Sequence, residues 1–193
     1  MHQTIYLMRH AQTLFNSQDR IQGWSDSPLT EKGIAQAKIA EHYFTDRKIR
    51  IDRAYASTSE RASDTLELVT DLPYQRLKGL REWNYGTFEA QPVNMYPYNH
   101  DTDFFPLFGG ESDQDVQKRI TATMMEIVTT DNSPNKLVVS HGGTIRSFVR
   151  AWQQHEASHE YLHYENCCIL KFFYEDGIFS FQEMFNSDFS SLD

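Results

Sequence analysis

The stretch "YLMRHAQT", residues 6–13, sets the problem this chain poses. With Ile5 before it, Tyr6-Leu7-Met8 makes a short unbroken apolar run, the pattern of a strand buried on both faces. The run then gives straight into Arg9 and His10, followed by a small-residue turn. Two cationic side chains at the exit of a buried strand ask for something anionic beside them. Working outward, the chain alternates short apolar runs with helical periods, which predicts an α/β sheet.

The helical periods are specific. Thr30 to Phe44 predicts a helix with Ile34, Ala37, Ala40 and Phe44 along one side. Ser59 is placed to cap the next, where Ala62, Leu66 and Val69 share a face. Ser112 and Asp115 have capping-box spacing and open a helix carrying Val116, Ile120, Met124, Ile127 and Val128. Ile145, Phe148, Val149 and Trp152 recur at i, i+3, i+4 and i+7. Further strands are predicted at Ile51–Ala56, Lys136–Ser140, Ile169–Tyr174 and Ile178–Met184, the last two joined through "EDG", a turn signal. Residues 84–110, with Pro92, Pro97 and Pro106, predict a long loop.

Composition narrows the function classes. The chain has 193 residues, 39% hydrophobic and 23% charged, the mix of an ordinary globular protein. No repeat, low-complexity tract or linker interrupts it, so residues 1–193 are expected to form a single domain. A net charge of −9 argues against a broad nucleic-acid surface, though not against a small pocket of arginines. No apolar run reaches membrane-span length, and the N-terminus lacks signal-peptide features, so no membrane partner is expected. The only cysteines, Cys167 and Cys168, are adjacent and suit strand packing in a reducing, cytoplasmic protein.

Ligands of open α/β sheets bind beyond the carboxyl ends of the strands. Three predicted strand ends carry polar chemistry. The first delivers Arg9 and His10. The second runs into "STSERA", which puts Arg61 in the first turn of a helix. The third delivers "SHGG", with His141 before a glycine pair that opens another helix. Arginine offers a bidentate fork, and helix N-termini offer free N–H groups, so the ligand expected here is a phosphoryl group. An isolated "RH" pair would carry almost no information; agreement among three strand ends carries the reading.

These residues give the chain a plain resemblance. "RHAQT" at 9–13, "RASDT" at 61–65 and "SHGG" at 140–143 resemble the histidine phosphatase superfamily, the phosphoglycerate-mutase-like fold. "LTEKGIAQA" at 29–37, "LREWNYGTFE" at 80–89 and "GGES" at 109–112 add to it, in family order and over most of the chain. The resemblance implies a three-layer α/β/α sandwich with a mostly parallel central sheet. It implies His10 as a nucleophile that becomes phosphorylated, with Arg9, Arg61 and His141 completing the phosphate pocket and Glu82 as proton donor. Asn16, Gln22 and Gly23 match positions on the substrate side, and the Gly142 N–H matches a further donor. No metal ion and no cofactor are implied. The partner is a small-molecule phosphate ester of unspecified identity, and the oligomeric state is not encoded in any motif. The chain departs from the family pattern at Ala11, where glycine is usual, and in "STSE", which lacks a proline often found before the arginine.

Within that family both phosphatases and mutases occur. A phosphoglycerate mutase needs extra cations over its pocket, and residues 84–116 contain no Lys or Arg. They contain Tyr85, Phe88, Tyr96, Tyr98, Phe104, Phe105 and Phe108 with Glu89, Asp101, Asp103 and Glu111. An aromatic and acidic cover suits an uncharged leaving group, so a phosphatase is expected, with phosphoglycerate mutase as the alternative. A non-catalytic phosphate-binding module is a weaker one, since His10 and Glu82 are both present. "HEASHEYLH", residues 155–163, matches the zinc-protease HExxH pattern twice. Its polar lead-in, Gln153-Gln154, argues against a buried catalytic helix, and it is expected to be a solvated helix end or loop.

Overall fold

The two faces of the first strand organise the molecule. In the computed structural model, which describes residues 2–95, 104–152 and 162–192, β1 spans Gln3–Arg9. Successive side chains of a strand point to opposite faces. Ile5 and Leu7 therefore enter one cluster, with Ile120, Met124, Ile145 and Phe148. Tyr6 and Met8 enter the other, with Ala37, Phe44, Ala62 and Leu66. Ile5, Leu7 and Met8 have no exposed surface, and each such burial contributes about 1.5–3 kcal/mol.

Those partners come from four helices. After the short α1 (Leu14–Ser17), α2 (Glu31–Asp46) and α3 (Glu60–Val69) cover one face of the sheet. α4 (Asp113–Thr130) and α5 (Gly142–Trp152) cover the other. The remaining strands are β2 (Arg53–Ser57), β3 (Tyr74–Leu77), β4 (Asn135–Ser140), β5 (Ile169–Glu175) and β6 (Ile178–Phe185). The sheet order is β3-β2-β4-β1-β5-β6. The first four are mutually parallel, and β5 and β6 are antiparallel additions. This is the mostly parallel three-layer arrangement that the resemblance implies.

Local signals behave as their chemistry dictates. Thr30 accepts from the Gly33 N–H at 2.9 Å and starts α2. Gly33 has to be glycine, because a Cβ there would lie 2.1 Å from the Gln12 carbonyl oxygen. Ser112 and Asp115 form the reciprocal capping box that opens α4. Asp176 and Gly177 both have positive φ, 51° and 85°, and close the β5–β6 hairpin as a two-residue turn.

Three points differ from the sequence reading. Ile34, expected beside Ala37, Ala40 and Phe44 on one side of α2, is 38% exposed. β3 was not foreseen. "YQRL" is four residues long with Gln75 and Arg76 exposed, so an edge strand of this kind shows no apolar alternation. Ser59 occupies the N-cap position of α3, but its side chain makes no capping bond and lies 3.5 Å from the Ser57 hydroxyl. The cap comes from a distant loop, where Asp26 Oδ2 accepts from the Glu60 N–H at 2.6 Å.

The topology brings the polar ends together. Arg9 is registered beside Ser140, and Ala56 beside Val139, so β1, β2 and β4 end at one edge of the sheet. The His10 N–H donates to the Ser140 carbonyl at 3.0 Å, tying the first end to the third.

Candidate active site

His10 is nearly buried, with 3% of its surface exposed. Its Nδ1 lies 2.8 Å from the Ala11 carbonyl oxygen. A carbonyl only accepts, so Nδ1 carries the ring proton and Nε2 keeps the lone pair. Ala11 needs no glycine: its φ is not positive, its side chain is fully buried, and its N–H donates to Thr65 Oγ1 at 3.0 Å. The His141 ring stands 5.2 Å from that of His10, tilted by 59°.

A cavity of about 460 Å³ opens on this edge of the sheet. Arg9, His10, Asn16, Gln22, Glu82 and Gly142 all line it. Arg61 and His141 are fully buried and are not on the described wall, nor is Gly23. Arg61 is held by Asp26 at 2.9 Å and by the carbonyls of Gly23 and Ser25 at 2.9 and 3.1 Å. Gly23 thus serves the site through its carbonyl. Arg9 is anchored by the Tyr164 carbonyl at 2.6 Å. Among the described residues, the Nε atoms of Arg9 and Arg61 and both ring nitrogens of His141 are buried without a hydrogen-bond partner. Leaving such groups unpaired costs about 1–3 kcal/mol each, a cost that an acceptor-rich anion bound beside His10 would relieve.

Glu82 closes the other side. Its Oε1 accepts from the Trp83 and Thr144 N–H groups at 2.9 and 2.8 Å, and its Oε2 accepts from the Gly143 N–H at 2.8 Å. The carboxylate therefore sits on the N-terminus of α5, and Oε2, with one donor, has the greater capacity left for a proton. A Cβ at Gly143 would come within 2.8 Å of Oε1, so the glycine admits this approach. The nearby acids are committed elsewhere. Glu89 accepts from the Trp24, Ser25 and Tyr85 N–H groups, and Glu111 pairs with Arg119 at 2.9 Å. Neither lines the described cavity wall.

Several supporting residues escaped the sequence reading. Asn166 donates from Nδ2 to the His10 carbonyl at 3.0 Å and reaches Asn16 Oδ1 at 3.3 Å. Asp26, Thr65 and Tyr164 hold Arg61, the Ala11 turn and Arg9. Thr65 stands in the quoted "RASDT" stretch, but the others carry no local signal, because each acts across many residues. The aromatic cover also differs from expectation. Phe88, Phe104, Phe105 and Phe108 pack on one another with ring centroids 4.9–5.9 Å apart. Of the cover's described aromatics only Tyr85 joins Trp83 on the wall, whereas Arg9, Arg20, Arg146 and Arg150 all line it. Tyr96, Tyr98, Asp101 and Asp103 lie outside the described residues, as do His155, Glu156, His159 and Glu160 of the HExxH matches. His163 is described, exposed, and 3.8 Å from Glu165.

Electrostatics keep both histidines neutral. Burial, then Arg61 and Arg9, push the His10 imidazole well below its ordinary value. Burial, then Arg61 and His10, do the same to His141. In the unfolded chain both titrate near 6.5. As pH falls through that value the unfolded state takes up protons that the folded state refuses. Stability should then fall, by up to about 1.4 kcal/mol per pH unit for each histidine, until the depressed folded values are reached. Urea midpoints between pH 8 and 5 should show this decline, and a His10→Ala/His141→Ala variant should flatten it. An undiminished slope in that variant would contradict the assignment.

Known proteins resemble this chain in sequence and in fold. Residues 5–187 match the model of the histidine phosphatase superfamily (branch 1). A Hydrogenobacter thermophilus protein provisionally named phosphoserine phosphatase 2 is 31% identical over 157 residues, covering 75% of this chain and 76% of the relative. A broad-specificity phosphatase of Saccharomyces cerevisiae is 29% identical over 163 residues, covering 79% and 70%. Among solved structures, a phosphoglycerate mutase from Bacillus anthracis superposes with a TM-score of 0.81 at 29% identity, covering 94% of this chain and 92% of that one.

Proposed function

The chain belongs to the histidine phosphatase superfamily (branch 1) and is a phosphatase, and from that premise we propose that it hydrolyses small phosphomonoesters through a phosphohistidine at His10, without a metal ion. The observation that carries this is the tautomer of His10, with Nδ1–H on the Ala11 carbonyl and Nε2 left as the nucleophilic nitrogen of a ring that lines a cavity together with Arg9.

The steps follow from charge and position. Nε2 attacks phosphorus, and the bond from phosphorus to the ester oxygen breaks. Glu82 gives its proton to that oxygen, so the alcohol leaves neutral. Arg9, Arg61 and His141 balance the charge spread over the phosphoryl oxygens, with Gly142 adding an N–H and Asn16 and Gln22 lining the approach. Water then attacks phosphorus and yields its proton to Glu82 as the N–P bond breaks, which restores neutral His10 and releases phosphate. Cationic side chains supply the charge that a metal would otherwise supply.

We read the whole chain as one domain. A cytoplasmic setting is supported by two buried free thiols, and among the described residues no helix is long and apolar enough to cross a membrane. The net charge of −9 weighs against a nucleic-acid partner. One assay separates this reading from the metal-dependent and mutase alternatives. After exhaustive dialysis against EDTA, the enzyme should release free phosphate from 3-phosphoglycerate faster than it forms 2-phosphoglycerate. Activity restored only by zinc, and lost in His155→Ala and His159→Ala, would replace this reading with the metal-dependent one. Isomerisation with little phosphate released would replace it with the mutase.

A further inference from the structure

The cavity carries more positive charge than one phosphoryl group needs. Arg146 and Arg150 lie four residues apart on α5 and share a face with Gly142, all three on the cavity wall. One helical turn is about 5.4 Å, so the two guanidinium stems follow the helix outward from the phosphate end in steps that match a two- or three-carbon leaving group. Arg20 reaches the same wall from the turn after α1, fixed by the Ala90 carbonyl at 2.8 Å and Gln18 Oε1 at 3.2 Å. The Arg146 guanidinium lies 5.5 Å from the ring centroid of Tyr164, the residue whose carbonyl anchors Arg9. The phosphate arginine and the outer arginine are thus set by one residue.

Opposing charge is scarce there. Among the described residues of the wall, Glu82 is the single acid, and its oxygens already receive the N–H groups of α5. Asp113 approaches Arg150 at 3.9 Å but is not on the wall. An arginine on an exposed helix face is ordinarily a solvated charge. Here three, from two elements far apart in sequence, converge on the cavity that holds His10, in a protein of net charge −9.

We propose that Arg146, Arg150 and Arg20 form a second anion subsite, which selects phosphomonoesters whose leaving group carries a carboxylate. The inference rests on the hydrolytic reading above for the placement of the phosphoryl group at His10. Arginine forks match a carboxylate bidentately, and the partners of Arg20, a carbonyl and an amide oxygen, are neutral and leave its charge in place.

The test uses 3-phosphoglycerate and glycerol 3-phosphate, which differ by a carboxylate against a hydroxymethyl group. Binding is measured by calorimetry on the His10→Ala protein, where turnover does not intrude. The carboxylate ester should bind about tenfold tighter in low salt, and the advantage should shrink at high ionic strength. In His10→Ala/Arg146→Gln/Arg150→Gln the two affinities should converge; glutamine keeps the helix propensity at these exposed positions. Equal affinities, or a preference that survives the double arginine substitution, would overturn the subsite. Turnover on a wild-type background separates the two claims. Hydrolysis of both esters with equal kcat/KM would sink the subsite and leave the phosphatase. A binding preference in a protein that hydrolyses neither ester, nor p-nitrophenyl phosphate, would support the subsite and sink the hydrolytic reading.

Discussion

His10→Ala should lose about 10⁴-fold or more in kcat with every phosphomonoester, because it removes the atom to which phosphorus must bond. Stability should not explain the loss. The substitution removes an imidazole whose one described hydrogen bond is to the neighbouring carbonyl, from a site where burial, then Arg61 and Arg9, disfavour the charged form. The variant should fold, bind phosphate through the same two arginines, and fail at the first chemical step. His141 differs in kind. It has no hydrogen-bond partner among the described residues and sits beside the nucleophile, so His141→Ala should weaken transition-state stabilisation while phosphoenzyme can still form slowly.

Glu82→Gln should show the second large effect, and its size should depend on the leaving group. An alkoxide leaves poorly and needs a proton as the bond breaks; p-nitrophenolate is already stabilised. Single-turnover rates should fall by about 10²–10⁴ with an alkyl phosphate and far less with p-nitrophenyl phosphate. The comparison between esters matters because this residue is also structural. The carboxylate accepts from the Trp83, Gly143 and Thr144 N–H groups. An amide has one oxygen, so its NH₂ must face a backbone donor, at a cost of about 1–3 kcal/mol. A lower melting temperature is therefore expected whatever the chemistry, and would depress both esters alike. A purely structural Glu82 predicts equal losses. With the acid role, the esters diverge, and with p-nitrophenyl phosphate a pre-steady-state burst should grow as dephosphorylation becomes limiting. Since Glu89 and Glu111 are bound to backbone N–H groups and to Arg119, equal losses would leave no other described acid on the cavity wall.

The parts of the fold legible in the sequence are those where burial imposes a period. β1 and β4 are continuous apolar runs because both faces are covered, and α5 repeats Ile145, Phe148 and Val149 because one face is. β3 was missed because an edge strand with exposed Gln75 and Arg76 has no period to show. Ser59 stands at the N-cap of α3 as its position suggests, but its hydroxyl lies against Ser57, and Asp26, 34 residues away, takes the Glu60 N–H, a contact that no local spacing signals. The candidate site divides the same way. His10, Arg61 and His141 stand at strand ends or in the first turn beyond them, where position alone suggests chemistry. Arg20, Arg146 and Arg150 were passed over because an exposed arginine on a turn or helix reads as a solvated charge. Residues 84–116 carry no cation, and only the folded chain shows that α5 and the turn after α1 supply them.

Catalysis as proposed requires a covalent bond between phosphorus and His10. Rapid quench of the wild-type enzyme with labelled p-nitrophenyl phosphate, followed by peptide mapping under alkaline conditions, measures it directly. The expected result is an acid-labile, base-stable label on the peptide containing residues 6–13, formed at the rate of p-nitrophenolate release and absent in His10→Ala. A label on another residue, or near-normal turnover by His10→Ala, would contradict the account.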